Sequence, residues 1–124
     1  MGFYNEARNS KGQAVAIHSL SVWNPNIEFF YTVLGRENPY GEFSGRGEEI
    51  EYSLQEIEKA LEAVETYTFY DQINFEKLHP LVAVTCYGYK DSVDKEGDKE
   101  FLIKFLQCCR EMAEQEGKVT IFFR

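Results

Sequence analysis

The spacing of apolar and polar positions divides the chain into a few regular elements. The last third contains an almost continuously apolar run over residues 81–87, an amphipathic stretch over residues 99–116 and an apolar run over residues 119–123. A strand that is apolar on both faces is typical of a sheet interior, and a helical crossover joins parallel neighbours. This pattern predicts a β-α-β unit whose helix has Asp98 as its N-cap and ends at Gly117.

A second helix is predicted after Ser53. Ser53 and Glu56 have the spacing of a capping box, in which the hydroxyl and the carboxylate satisfy free backbone amides at the helix start. Apolar side chains then recur at intervals of three and four and predict one buried stripe, formed by Leu54, Ile57, Leu61, Val64 and Thr68. We expect this helix to end near Phe69 or Tyr70.

The first half of the chain has weaker patterns. Residues 13–22 alternate between two faces and predict a strand. Residues 1–12 show little periodicity and predict a loose N-terminal arm, and residues 35–47 are rich in glycine and predict a long loop.

Residues 24–35 fit two structures. Asn24 and Pro25 suit the start of a helix that Gly35 would end, with a shared apolar face formed by Ile27, Phe30, Tyr31 and Leu34. The aromatic and β-branched composition of the segment and a turn at Asn24-Pro25-Asn26 favour a hairpin. We adopt the hairpin as the prediction.

Together these elements predict an α+β fold in a single domain over residues 1–124. The predicted architecture is a two-layer sandwich, in which two main helices cover one face of a short mixed β-sheet in the order ββ-α-β-α-β.

Composition supports a packed globular domain. The hydrophobic fraction is 44%, which is sufficient for a core, and no apolar run approaches the roughly 18 residues of a membrane span. The N-terminus has no basic segment followed by an apolar one, so no secretory signal is predicted. Three cysteines, two of them adjacent, do not make a disulfide framework, and we expect reduced thiols and a cytoplasmic location.

The net charge of −8 is unevenly distributed. Residues 1–47 hold four basic and four acidic side chains, so the whole excess lies in residues 48–124. Within residues 48–65, seven glutamates against one lysine give a local charge of −6. That segment would repel phosphates, so we expect no nucleic acid partner, and a basic protein is the natural complement.

One row of carboxylates is the first candidate site. Glu58, Glu62 and Glu65 project from one sector of the predicted helix, and Glu51 would join them if the helix began early. The row is either a solvated helix face, a docking surface for a basic protein, or a carboxylate site for Mg²⁺ or Ca²⁺. We expect no metal and adopt the docking surface.

The glycine-rich loop is the second candidate. It presents Tyr40, Phe43 and Arg46, which are residue types favoured at the centre of protein interfaces. It lacks the Gly-Lys-Ser/Thr ending of a phosphate-binding loop.

The alternative is a small enzyme or small-molecule-binding protein. Cys86, His79 and Asp71 supply the residue types of a nucleophile, a base and an orienting group, and His18 is a second possible base. Cys86 nevertheless falls in a predicted buried strand, where a thiol is usually inert. Cys108 and Cys109 fall in the apolar arc of the last helix and are expected to be structural. No cofactor is predicted.

The end of the chain carries one resemblance. Glu116-Gly117-Lys118 followed by Val119-Thr120-Ile121-Phe122 resembles the end of barstar-type proteins, acidic inhibitors of a basic ribonuclease. The resemblance implies that a small acidic α/β domain of this kind can act as an inhibitor. From the carboxylate row and the glycine-rich loop we predict a non-enzymatic interaction module, of the inhibitor or immunity type, that binds a basic partner.

Overall fold

The computed structural model describes residues 2–21, 24, 26–36, 45–66 and 95–124. In this part of the chain, four strands form an antiparallel sheet and three helices accompany it, which confirms an α+β fold. The elements are β1 (Gly2–Arg8), β2 (Ala14–Ser21), α1 (Ile27–Val33), β3 (Glu48–Ser53), α2 (Leu54–Thr66), α3 (Lys95–Glu116) and β4 (Lys118–Phe123). The strand order is β2-β1-β4-β3.

β1 lies in the middle of the sheet, between β2 and β4. The predicted loose arm is therefore wrong for residues 2–8. Phe3, Asn5 and Ala7 are buried on the inner face, and the alternation is hidden in the sequence because its middle member is polar. Asn5 is satisfied in part by donating its amide N–H to the carbonyl oxygen of His18, 3.3 Å away.

β4 is paired on both sides. Residues 120–123 of β4 pair antiparallel with β1, and the whole strand pairs antiparallel with β3. A parallel neighbour for this part of β4 is therefore excluded. The run at 81–87, which was predicted to be that neighbour, lies outside the described residues.

β3 was not predicted from the sequence. In β3, Ile50 and Tyr52 point toward the core while Glu49 and Glu51 are exposed. The many glutamates make this period of two hard to recognise in the sequence. The Tyr52 hydroxyl donates to the carbonyl oxygen of Leu34 at 2.8 Å. This bond ties β3 to the end of α1.

Residues 27–33 form a helix, so the predicted hairpin is wrong. The face proposed for the helical alternative is the one that is buried. A Schellman motif ends α1: the Arg36 N–H donates to the Tyr31 carbonyl at 2.8 Å, the Gly35 N–H donates to the Thr32 carbonyl at 3.0 Å, and Gly35 has a φ of 69°. Burial of an aromatic helix face outweighs the β propensity of the segment.

The capping box of α2 is confirmed. The Glu56 N–H donates to the Ser53 hydroxyl at 3.2 Å, and the Ser53 N–H donates to the Glu56 carboxylate at 3.1 Å. Ile57 and Val64 are fully buried, and Leu54 and Leu61 pack against the core. Thr68 and the predicted end of the helix lie outside the described residues.

α3 begins earlier than predicted. It starts at Lys95, so Asp98 lies in its first turn and is not the N-cap. The Asp98 carboxylate instead accepts N–H bonds from the side chains of Asn24 at 2.8 Å and Asn26 at 2.9 Å. The end is as predicted, with Gly117 at a φ of 84° after the last turn.

The inner face of the sheet and the three helices share one core. Phe3, Phe30, Phe123, Ile57, Leu102, Leu106 and Ile121 are its largest fully buried apolar side chains. Among the described residues, no helix has both the length and the apolar character to cross a membrane.

The capping box gives a direct test of this start to α2. Replacing Ser53 by Ala leaves the Glu56 N–H without its acceptor, so we expect the free energy of unfolding to fall by about 1 kcal/mol. Urea denaturation followed by circular dichroism measures this loss. The control is Gln55→Ala, an exposed position in the same turn, which should change stability by less than about 0.5 kcal/mol. Equal losses in the two variants would contradict the capping role.

Candidate functional site: the acidic row on α2

α2 presents three carboxylates outward. Glu58, Glu62 and Glu65 are exposed, whereas Ile57, Ala60 and Val64 are at most 1% exposed. The spacing of four and three residues places the glutamates in one row along the helix. We call these three residues the acidic row.

Glu51 does not belong to the acidic row. It lies in β3, because α2 begins only at Leu54, and its carboxylate accepts from the Lys118 ammonium at 2.9 Å. The conditional fourth member is therefore excluded, and its charge is already compensated across the sheet.

Among the described residues, no ion pair compensates the charge of the acidic row. None of its three carboxylates forms an ion pair with a described residue, and Lys59 is the one basic residue of α2. Glu58 and Glu62 stand at i and i+4, a like-charge arrangement that costs a helix a few tenths of a kcal/mol. The row is thus maintained against a small penalty in helix stability.

A shallow groove runs beside the acidic row. It has a volume of about 380 Å³ and is lined by Gln55, Glu56, Glu58, Lys59 and Glu62. Its carboxylates and amide are hydrogen-bond acceptors for a lysine or arginine side chain.

The glycine-rich loop is described only at its end. Arg46 is exposed and precedes β3, while Tyr40 and Phe43 lie outside the described residues. A Cβ on Gly45 would lie 2.7 Å from the backbone carbon of Arg124, and the Gly47 N–H donates to the Phe123 carbonyl at 2.7 Å. The end of the loop is therefore held against the end of β4.

Of the residues considered for catalysis and the other thiols, only part is described. Cys86, His79 and Asp71 lie outside the described residues. Cys109 is fully buried, and burial raises the pKa of its thiol. Cys108 is exposed, so of these two thiols only that of Cys109 is packed in the core. Within the described residues, no group of three or more ionisable ligands could hold a metal ion.

His18 is a poor candidate for a general base. It is 1% exposed, and burial lowers the pKa of its imidazole to about 4. A bound substrate cannot come within hydrogen-bond reach of an imidazole this buried, which a general base requires.

The outer face of the sheet carries a feature that the sequence did not reveal. The guanidinium groups of Arg8 and Arg124 lie 4.9 Å and 4.6 Å from the ring centroid of Phe122. Glu6 accepts from Arg8 at 2.6 Å, and this bond lowers the pKa of the Glu6 carboxyl. The alternation of Tyr4, Glu6 and Arg8 was the available signal, and it could be interpreted only once residues 2–8 were known to be a strand.

Thiol reactivity tests these assignments. With a small alkylating reagent at pH 8, we expect Cys108 to react on the order of 100-fold faster than Cys109, because a buried thiol reacts only when the fold opens. Peptide mass spectrometry follows each site, and the urea-denatured chain, in which the rates should converge, is the control. Similar native rates at both positions would contradict the burial of Cys109. A Cys86 that reacts faster than Cys108 would support the enzyme alternative.

Comparison of the chain with protein-family models, with curated proteins and with solved structures finds no match. None of these comparisons therefore extends the resemblance to barstar-type proteins beyond the last helix and strand.

Proposed function

We propose that the chain is a non-enzymatic interaction module of the inhibitor or immunity type, which binds a basic protein through the acidic row. The observation that carries the proposal is the set of three exposed carboxylates on one helix, none of which pairs with a described residue. In this proposal the chain is one two-layer domain that holds α2 in place.

The capped start and the packed inner face of α2 support a docking role. The capping box fixes its first turn, and its buried side packs against α1 and α3. Lys99 donates to the backbone carbonyl of Glu65 at 3.4 Å, at the helix end where a positive charge is favourable. A surface that is already ordered loses less conformational entropy when a partner binds.

The negative net charge of the chain supports a positively charged partner. The net charge of −8 attracts a basic protein over a distance of about one Debye length, roughly 8 Å at physiological salt, and accelerates its association. The same charge repels acidic proteins and nucleic acids.

Ion pairs alone would not make a stable complex. An exposed pair contributes about 0.2–1 kcal/mol, so three of them fall short of the roughly 8 kcal/mol of a micromolar complex. The proposal therefore includes Tyr40, Phe43 and Arg46, whose side-chain types supply interface anchors. Of these, only Arg46 lies within the described residues.

Charge reversal in the acidic row is the experiment. Affinity capture from the source cell with the wild-type chain, followed by mass spectrometry, supplies the partner. We expect a basic protein, and we expect Glu58→Lys with Glu62→Lys to weaken its binding by about ten- to a hundredfold, because attraction becomes repulsion at two positions. Titration calorimetry gives the dissociation constants.

The matched control is Glu111→Lys with Glu114→Lys. These residues are exposed on α3, and the two changes alter the net charge by the same amount. The control variant should bind like the wild type, and circular dichroism should show both variants folded. Equal binding by the α2 variant and the wild type, or equal weakening by the control, would overturn the acidic row as the binding surface.

A further inference from the structure

An aromatic box encloses the imidazole of His18. The ring of Phe30 from α1 stacks on it with centroids 4.4 Å apart and an interplanar angle of 5°. The ring of Phe101 from α3 covers it with centroids 4.8 Å apart and an angle of 27°, and Phe105 lies tilted at 5.7 Å. We call His18, Phe30, Phe101 and Phe105 the aromatic box.

The aromatic box joins β2, α1 and α3 at one point. His18 is 1% exposed, while Phe101 is 39% exposed, so Phe101 is the ring nearest to water. The beginnings of the two helices are joined by the Asp98 carboxylate, which accepts N–H bonds from Asn24 and Asn26. Separation of the first turns of α3 would therefore break both the box and this hydrogen-bonded contact.

A proton on His18 has no compensation in the box. The imidazole Nδ1 has no hydrogen-bond partner among the described residues. The neighbouring elements face it with neutral groups, namely the Asn5 amide from β1, Phe30 from α1, and Phe101 and Phe105 from α3. Desolvation by burial lowers the pKa of His18. The charged residues of the same stretch of α3 are Asp98, Glu100 and Lys104, and the Asp98 carboxylate accepts from Asn24 and Asn26.

We propose that the aromatic box is an acid-sensitive switch, in which protonation of His18 releases the first turns of α3 from β2 and α1. When Phe101 moves away, water can hydrate the imidazolium and stabilise its charge. In the closed box the same charge is buried among hydrocarbon rings, which is unfavourable. Release exposes the apolar surfaces of Phe30 and Phe105, which lie next to each other beside the histidine. The switch is independent of the proposed function of the acidic row.

The direction with pH follows from linkage. The closed form holds the His18 pKa at about 4, and the opened form returns it to the ordinary value near 6.5. The opened form therefore binds more protons, so the closed form is most stable above about pH 6.5 and loses stability as the pH falls toward 4. Between pH 7 and pH 5 the opening equilibrium constant should rise by about 20-fold.

Hydrogen exchange of the full chain tests the switch. Exchange is measured by mass spectrometry at pH 7 and pH 5 and corrected for the intrinsic pH dependence of amide exchange. We expect the roughly 20-fold increase in peptides from residues 95–106, and a smaller change in peptides from residues 118–123. The variant His18→Phe, which places a ring without a titratable group in the box, should show less than about a twofold increase.

His79→Gln is the matched control, since it removes the other histidine of the chain and should respond like the wild type. Carboxylates common to all variants cancel in the comparison. The same acid response in His18→Phe, or no response in the wild type, would overturn the proposal.

A measurement on the wild-type chain covers the case in which His18→Phe does not fold. The imidazole proton resonance of His18 followed against pH should titrate near pH 4, and Phe101→Ala should move this midpoint upward by at least about one pH unit, because water then reaches the ring. A wild-type midpoint near 6.5, or a midpoint unmoved in Phe101→Ala, would overturn the proposal.

Discussion

The antiparallel pairing of β1 with both β2 and β4 is the constraint on which the described structure depends. It fixes β4 inside the sheet, so that β3 adds along the outer edge of β4 and leads directly into α2. It also sets Asn5 opposite His18 and Phe3 opposite Leu20, which decides the side chains that meet the helices. Slipping β1 by one residue would turn Tyr4, Glu6 and Arg8 into the core, and burying two charges there would cost far more than the strand pairing contributes.

The position of β3 in this sheet also determines which side of α2 is exposed, and hence the exposure of the acidic row. β3 ends at Ser53, whose hydroxyl begins α2, and burial of Ile57, Ala60 and Val64 fixes the rotation of that helix. The same rotation turns Glu58, Glu62 and Glu65 to solvent. In the same core, rings from α1 and α3 enclose His18, where one titratable group can affect the contacts of three elements. The proposed binding surface and the proposed switch thus use different parts of one core.

Local signals predicted the elements that carry strong local chemistry. The Ser53–Glu56 spacing, the apolar stripe of α2, Gly117 and the alternation of β2 were sufficient because each depends on near neighbours. β1 and β3 were not predicted because Asn5 and the glutamates of β3 interrupt the apolar alternation. These segments form strands because they pair with β2 and β4. The segment of α1 was predicted as a strand because its aromatic residues have a high β propensity, and the burial of its aromatic face in the core, which favours the helix, is not visible in the local sequence.

Candidate residues divide in the same way. The exposure of Glu58, Glu62 and Glu65 followed from helix periodicity, whereas the placement of Glu51 required the boundary between β3 and α2. The Asp98 contact with Asn24 and Asn26, and the aromatic box, join residues more than 70 positions apart in sequence. Contacts over such separations are set by tertiary packing, which no local pattern encodes.

The central claim is that the acidic row is the surface that meets a basic partner, and carboxyl footprinting tests it most directly. Carbodiimide-activated amidation of the exposed carboxylates, read by peptide mass spectrometry with and without the captured partner, compares the acidic row with Glu111 and Glu114 on α3. The account predicts that labelling of Glu58, Glu62 and Glu65 falls in the complex while that of the two α3 residues stays constant. Unchanged labelling of the acidic row in a formed complex would contradict it.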